Sequence, residues 1–175
     1  MQLHFGAMRN LNLPAMEALG PDTGFDAIRG ESGAGVALGA FLGRLSADGI
    51  LPKTVLYSLD PADNAVIGSV IGCFQGEGVR AKLQQGSAWW FNDTKEGILA
   101  QLTSLASLGV LGNFIGMVTD SRSFLSYARH EYFRRILCEL IGAWVENGEF
   151  PSDEKALRTI VEGVSFRNAE RYFNL

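Results

Sequence analysis

The chain alternates between two hydrophobic periods. Gln2–Ala7 (QLHFGA), Lys53–Leu59 (KTVLYSL), Lys82–Ser87 and Phe114–Val118 (FIGMV) are short runs rich in apolar and β-forming residues, with the length of strands. Between them, apolar positions recur with helical spacing. Val36, Leu38, Phe41, Leu42 and Leu45 predict a helix over Val36–Ala47, stopped by Gly49. Asp60-Pro61 sets an N-cap before a proline, predicting a helix to about Phe74. Asp93 and Glu96 have capping-box spacing and open a helix to about Leu108. Tyr132, Phe133, Ile136, Leu137, Leu140, Ile141, Trp144 and Val145 mark one face of a long helix, with His130, Arg134, Arg135 and Glu139 on its other faces. Gly148 and Pro151 end it, and Ser152 can cap a last helix to about Phe173.

Strand followed by helix, repeated through the chain, predicts an α/β fold with a parallel sheet and right-handed crossovers. The pattern holds four βα units and a C-terminal helix, in a single domain spanning 1–175. An eightfold barrel takes about 250 residues. Four units therefore make a small open sheet or half of such a barrel. The connection Met8–Ser32, with Pro14, Pro21, Gly20, Gly24 and Gly30, is long for a compact domain, as functional loops often are.

Composition narrows the field. Hydrophobic residues make up 47% of the chain, enough for a packed core. A net charge of −4 and the lack of a basic patch argue against nucleic acid as a partner. No apolar run reaches membrane-spanning length, and no leader segment precedes the first strand, so a cytoplasmic protein without a membrane partner is expected. Cys73 and Cys138 lie inside apolar helical patterns without metal-type spacing and read as buried, reduced thiols. Glu31–Gly35 (ESGAG) is glycine-rich but lacks the phosphate-binding lysine, and no serine sits in a nucleophile elbow.

The candidate chemistry collects where strands end. After Phe114–Val118 comes Thr119-Asp120-Ser121-Arg122-Ser123, hydroxyls interleaved with an acid and a base. In barrel and doubly wound folds that end of a strand carries the chemistry. Asp120 can ligate a metal or move a proton, and Arg122 can fork onto a carboxylate or phosphate. Equally, Asp120 can simply cap the following helix. If the strands are parallel, His4, Arg9 and Asn10, then Tyr57 and Asp60, then Trp89, Trp90, Asn92 and Asp93 join Asp120 and Arg122 at one rim. His4 is also readable as a satisfied core histidine, and the tryptophan pair as packing or as a wall against a sugar. Asp60 and Asp93 are better explained as helix caps.

MQLHFGAMRN, GPDTGFD, LPKTVLYSLDP, the WWFND exit and MVTDSRSFLSYARHEYFRRILC together closely resemble the carboxyl-terminal half of bacterial uronate (glucuronate) isomerases, (β/α)8 barrels of the amidohydrolase superfamily. The resemblance covers nearly the whole chain. It implies an aldose–ketose isomerase acting on hexuronates, interconverting D-glucuronate with D-fructuronate and D-galacturonate with D-tagaturonate. It implies that Asp120 approaches a divalent metal, zinc or similar, and handles protons. It implies that Arg122 grips the substrate carboxylate, that His4 faces the site, and that Arg9, Trp89 and Trp90 line the sugar pocket.

The family's first strand carries a His-x-His metal pair, whereas this sequence contains two histidines, His4 and His130. The metal site is therefore expected to be incomplete in this chain, and the chain alone weakly active or inactive. Unpaired strand edges and a bare inner sheet face would favour aggregation, a homo-oligomer, or a complementing amino-terminal half. Two other readings stand beside this one. One is a hydrolase of the same superfamily. The other is a non-enzymatic α/β domain that binds an anionic sugar or a protein.

Overall fold

The computed structural model describes residues 1–30, 33–121 and 123–175. Three parallel strands form the main sheet: β1 (Gln2–Phe5), β4 (Thr54–Ser58) and β5 (Leu83–Gln85), in the order β1-β4-β5. The register pairs His4 with Tyr57 and Leu56 with Gln85. Parallel strands need long crossovers. Between β1 and β4 come a small antiparallel pair, β2 (Ala7–Met8) with β3 (Ala27–Ile28), and helices α1 (Leu13–Leu19) and α2 (Ala34–Ala47). The long connection is thus structured rather than bare. β4 passes to β5 through α3 (Asn64–Gly72), and β5 is followed by α4 (Lys95–Leu108).

β1 stops at Phe5 because Gly6 turns the chain with φ +84°, against the Ser58 hydroxyl. Any Cβ there would sit 2.7 Å from Ser58 Oγ, so only glycine suits the bend.

The alternation of β4 sorts its side chains between two cores. Leu56 joins Leu38 and Leu42 of α2, Ile67 and Ile71 of α3 and Leu83 of β5. Val55 and Tyr57 point the other way, into a larger cluster with Leu102 of α4, Phe114, Ile115, and Ile136 and Leu137 of α5 (Ala128–Glu146). That second face is not bare, as the sequence had suggested: Val55 is 1% and Tyr57 2% exposed. The final elements cover it. Val164, in a π-helical turn at Gly163–Arg167, and Tyr172 of α7 (Asn168–Phe173) belong to the same cluster. The Tyr172 hydroxyl donates to the carbonyls of Lys82, at 2.8 Å, and Thr54, tying the chain's end to the base of the sheet.

The expected fourth strand does not form among the described residues. Phe114 and Ile115 are buried as predicted, but Phe114–Val118 makes no ladder. Gly116 has φ +87°, outside the β region, because the segment must pass against the Val164 carbonyl, where a Cβ would lie 2.2 Å from the oxygen. Side chains of the β5 segment replace the ladder. Gln84 Oε1 accepts from Ile115 N, and the Ser87 hydroxyl both accepts from Val118 N and donates to Val118 O.

Three local expectations change for physical reasons. Thr94, not Asp93, caps α4 by accepting from Gly97 N, while Asp93 is drawn off by Arg129. Asp153, not Ser152, caps α6 (Glu154–Glu162). Cys73 and Cys138 are free and exposed: Cys73 is the C-cap of α3, and Cys138 lies just off the buried stripe of α5. Asp60 does cap as expected, accepting from Ala62 N at 2.9 Å.

Candidate active site

The candidate residues meet at the carboxyl ends of the strands, linked ring to ring. His4 on β1 and Tyr57 on β4 are cross-strand partners, and their rings stack in parallel with centroids 4.3 Å apart. His4 is exposed, not a core histidine, because β1 is the last strand of the sheet on its side. The Trp89 ring meets His4 edge-on at 5.0 Å. Trp89 is itself 5% exposed, so its ring serves as packing and its indole N–H as a polar handle. That N–H donates to Asp120 Oδ2 at 3.0 Å.

Asp120 is exposed at the end of the Phe114–Val118 segment and holds φ +50°, an uncommon value for a residue other than glycine. One carboxylate oxygen is held by the indole. Asp120 does not cap the next helical turn, which Ser123 caps by accepting from Leu125 N. Tyr57 responds to this neighbourhood. Burial, and then the charge of Asp120, push its phenol up to about 12, so it remains a neutral donor and gives its proton to Gln2 Oε1 at 3.0 Å.

A second group adjoins the first through Trp90, 5.9 Å from Trp89. The Arg9 guanidinium lies 4.9 Å over the Trp90 ring, and Phe91 stacks on that ring at 5.3 Å. Arg9 is partly neutralised already. Its Nη1 donates to Asp26 Oδ2 at 2.9 Å, and Asp22 stands 3.6 Å away. The Asp26 side chain is 4% exposed and also accepts from Asn10 N, so the arginine is fixed in place. Along the free edge of β1 runs a cavity of about 360 Å3, lined by His4, Phe5, Arg29, Phe41 and Asp63. Arg122 lies outside the described residues.

A profile of the glucuronate isomerase family matches residues 1–173. This chain belongs to the glucuronate isomerase family. It is 62% identical over 173 residues to the uronate isomerase of Lachnospira eligens, covering 99% of this chain and 37% of that protein. The uronate isomerase of Endomicrobium trichonymphae is 60% identical over the same shares. Among solved structures, the Thermotoga maritima uronate isomerase is similar with TM-score 0.86 and 38% identity, over 98% of this chain and 36% of that one. The Caulobacter crescentus glucuronate isomerase follows with TM-score 0.84 and 26% identity, over 99% and 35%. The chain thus spans little more than a third of the length of these relatives, and its α/β architecture is that of part of an isomerase barrel.

In this stretch of the glucuronate isomerase family, the residues do not by themselves suit a catalytic metal. Among the described residues no three His, Cys, Asp or Glu side chains gather closely enough to hold an ion. Catalytic zinc usually takes about three protein ligands. Asp120 offers one carboxylate, of which one oxygen already accepts the indole proton. The sequence left two contributors unassigned, Asp26 and Gln2. Asp26 fixes Arg9 from 17 residues away, and Gln2 receives the Tyr57 proton from 55 residues away. Nothing local marks either one, although Asp26 closes the GPDTGFD block. Asp93 also has a task that its spacing concealed. Arg129 of α5 forks onto both its oxygens, at 2.6 and 3.0 Å, which binds the Trp89–Asp93 exit to the helix that follows Asp120.

Proposed function

We propose that this chain supplies one side of a hexuronate isomerase site, with Asp120 as its proton-transfer group. The observation that carries the reading is the Trp89–Asp120 hydrogen bond at the carboxyl ends of the parallel strands, beside the His4–Tyr57 stack. Aldose–ketose exchange moves a proton from C2 to C1 of the sugar and a hydroxyl proton from O2 to O1. A carboxylate with one oxygen pinned and the other free can take the C2 proton and return it to C1. An N–H or O–H close to the carbonyl oxygen stabilises the enediolate between the two transfers. Tyr57 is not that donor, since it is 2% exposed and its O–H is committed to Gln2 Oε1. His4, exposed and stacked on the Tyr57 ring, is proposed to bind the substrate.

Substrate binding is assigned to Arg122, Arg9, Trp89 and Trp90. A guanidinium matches the permanent carboxylate of D-glucuronate or D-galacturonate. Arg9 offers only part of its charge, because Asp26 already claims one of its nitrogens. Trp90 presents apolar surface under Arg9, and Trp89 sets Asp120. A divalent ion of the zinc type would take most of its ligands from outside this chain, with Asp120 giving one. A complementing amino-terminal portion, or a homo-oligomer, is proposed as the source of the rest of the site, in the cytoplasm. Among the described residues no helix is long and apolar enough to cross a membrane.

The test is conversion of glucuronate to fructuronate by the chain alone and mixed with an amino-terminal portion bearing the His-x-His pair. Activity on mixing is expected, and Asp120→Asn in the mixture should lower kcat by about 10²–10⁴. Full activity in that variant would remove Asp120 from the reaction. A folded, associated mixture without activity would overturn the isomerase reading. It would favour the second one, a non-enzymatic domain for an anionic sugar, to which the burial of both faces of β4 lends support.

A further inference from the structure

At the opposite end of the sheet, where the parallel strands begin, a cavity of about 230 Å3 opens between the residues preceding β4, the turn preceding β5 and α7. It is lined by Lys53, Arg80 and Arg171, together with Asn113, Asn168 and Tyr172. Among the described residues, no lining residue bears a carboxylate, although the chain as a whole carries a net charge of −4. None of these cations forms an ion pair among the described residues. Three positive side chains around one opening repel one another unless an anion shares it.

Two of the three are held in place by neutral acceptors. Lys53 Nζ donates to the Tyr172 carbonyl at 2.6 Å and lies 5.3 Å over the Tyr172 ring. Arg171 donates from Nε to the Arg167 carbonyl and from Nη2 to Asn168 Oδ1. Asn168 is itself 5% exposed and donates to the carbonyls of Gly112 and Phe114, so its own orientation is set. These bonds use a minority of the N–H groups on Lys53 and Arg171. The remainder are available without the further entropy cost of freezing these two long side chains. The Tyr172 hydroxyl is spent on the Thr54 and Lys82 carbonyls and does not compete.

We propose that this basal cavity binds a small, multiply charged oxyanion of the phosphate class, free or as a phosphate ester. The site is independent of the isomerase chemistry. It lies at the strands' amino ends, whereas His4, Trp89 and Asp120 gather at the carboxyl ends.

Isothermal titration of the full chain with inorganic phosphate, at constant ionic strength, tests it. Saturable binding with a dissociation constant on the order of a millimolar or tighter is expected. Arg80→Gln should weaken it by roughly tenfold or more. Arg80 makes no hydrogen bond to another described residue, so that variant keeps the fold, which circular dichroism checks. Lys53→Gln should weaken binding in the same sense. A sugar phosphate binding more tightly than phosphate would identify an ester as the ligand, and equal affinity would identify the free ion. Absence of saturable binding, binding unchanged by Arg80→Gln, or acetate binding as tightly as phosphate would each overturn the assignment.

Discussion

Gly116→Ala should destabilise the chain more than a methyl group ordinarily does. Two costs act together. Gly116 has φ +87°, where a Cβ costs about 1–2 kcal/mol. The added carbon would lie 2.2 Å from the Val164 carbonyl oxygen, which is backbone and has no rotamer to yield. Crowding of that kind costs about 1–3 kcal/mol. The substitution also stiffens the unfolded chain, which returns about 0.4–1 kcal/mol. The net loss is about 1–5 kcal/mol, or a fall in Tm on the order of 10 °C for a domain of this size. Urea titration followed by tryptophan fluorescence measures it. Gly142→Ala is the control, since no described residue lies within 4 Å of its added carbon on the exposed side of α5. That change should stabilise by about 0.5–1 kcal/mol. A loss below about 1 kcal/mol for Gly116→Ala, with the control behaving as stated, would refute the steric account of the missing strand.

Arg129→Ala should cost about 1–2 kcal/mol, because it strips a bidentate partner from Asp93, whose side chain is 15% exposed; an unchanged urea midpoint would show the fork to be idle. Alkaline unfolding is expected between pH 10 and about 12. The phenols of Tyr57 and Tyr172 are raised from 10.0 to about 12, so the unfolded chain releases these protons first. Stability is then intact below pH 10 and falls as pH rises toward 12, by at most about 1.4 kcal/mol per unit for each phenol. Near-ultraviolet absorbance should show two of the four tyrosines ionising late, and uniform titration near pH 10 would contradict it. Cys73 and Cys138 should both react with a thiol reagent in the native state; reaction only on unfolding would contradict their exposure. Amide exchange should be faster at Ile115 and Val118, bonded to side chains, than at Val55 in the sheet; equal protection would argue for a true ladder.

The elements set by local pattern were legible. The strands around Leu3 and Leu56 and the stripe Phe133, Ile136, Leu137, Ile141 follow their periods closely, because one buried face dictates each. Misreadings arose where a distant partner decides. Phe114–Val118 has a strand's composition, but the Val164 carbonyl bends it at Gly116. Asp93 has a cap's spacing, but Arg129 outbids the helix end with two charged bonds and leaves the cap to its neighbour Thr94. Cys138 lies one step round the helix from Leu137, and that step separates core from solvent. At the site, the strand ends were readable and so was their convergence. The Arg9–Asp26 pair and the Trp89–Asp120 bond were not, since each joins segments brought together only by the fold.

The hydroxyl of Ser87, giving and receiving with the same residue, Val118, has a further consequence. A sheet ladder can shift only in whole steps, because each bond in it depends on the spacing of the next. A segment hung from side chains is freed from that register, since a small torsional shift within a rotamer well moves the bonded atom by a fraction of an ångström. The segment that ends in Asp120 is therefore mounted on adjustable fittings, while β4 beside it is mounted on a fixed scale. On the proposed isomerase reading, a carboxylate that meets a sugar at hydrogen-bond distance is better served by the former, and its position can be trimmed at Ser87 or Gln84 without disturbing the sheet.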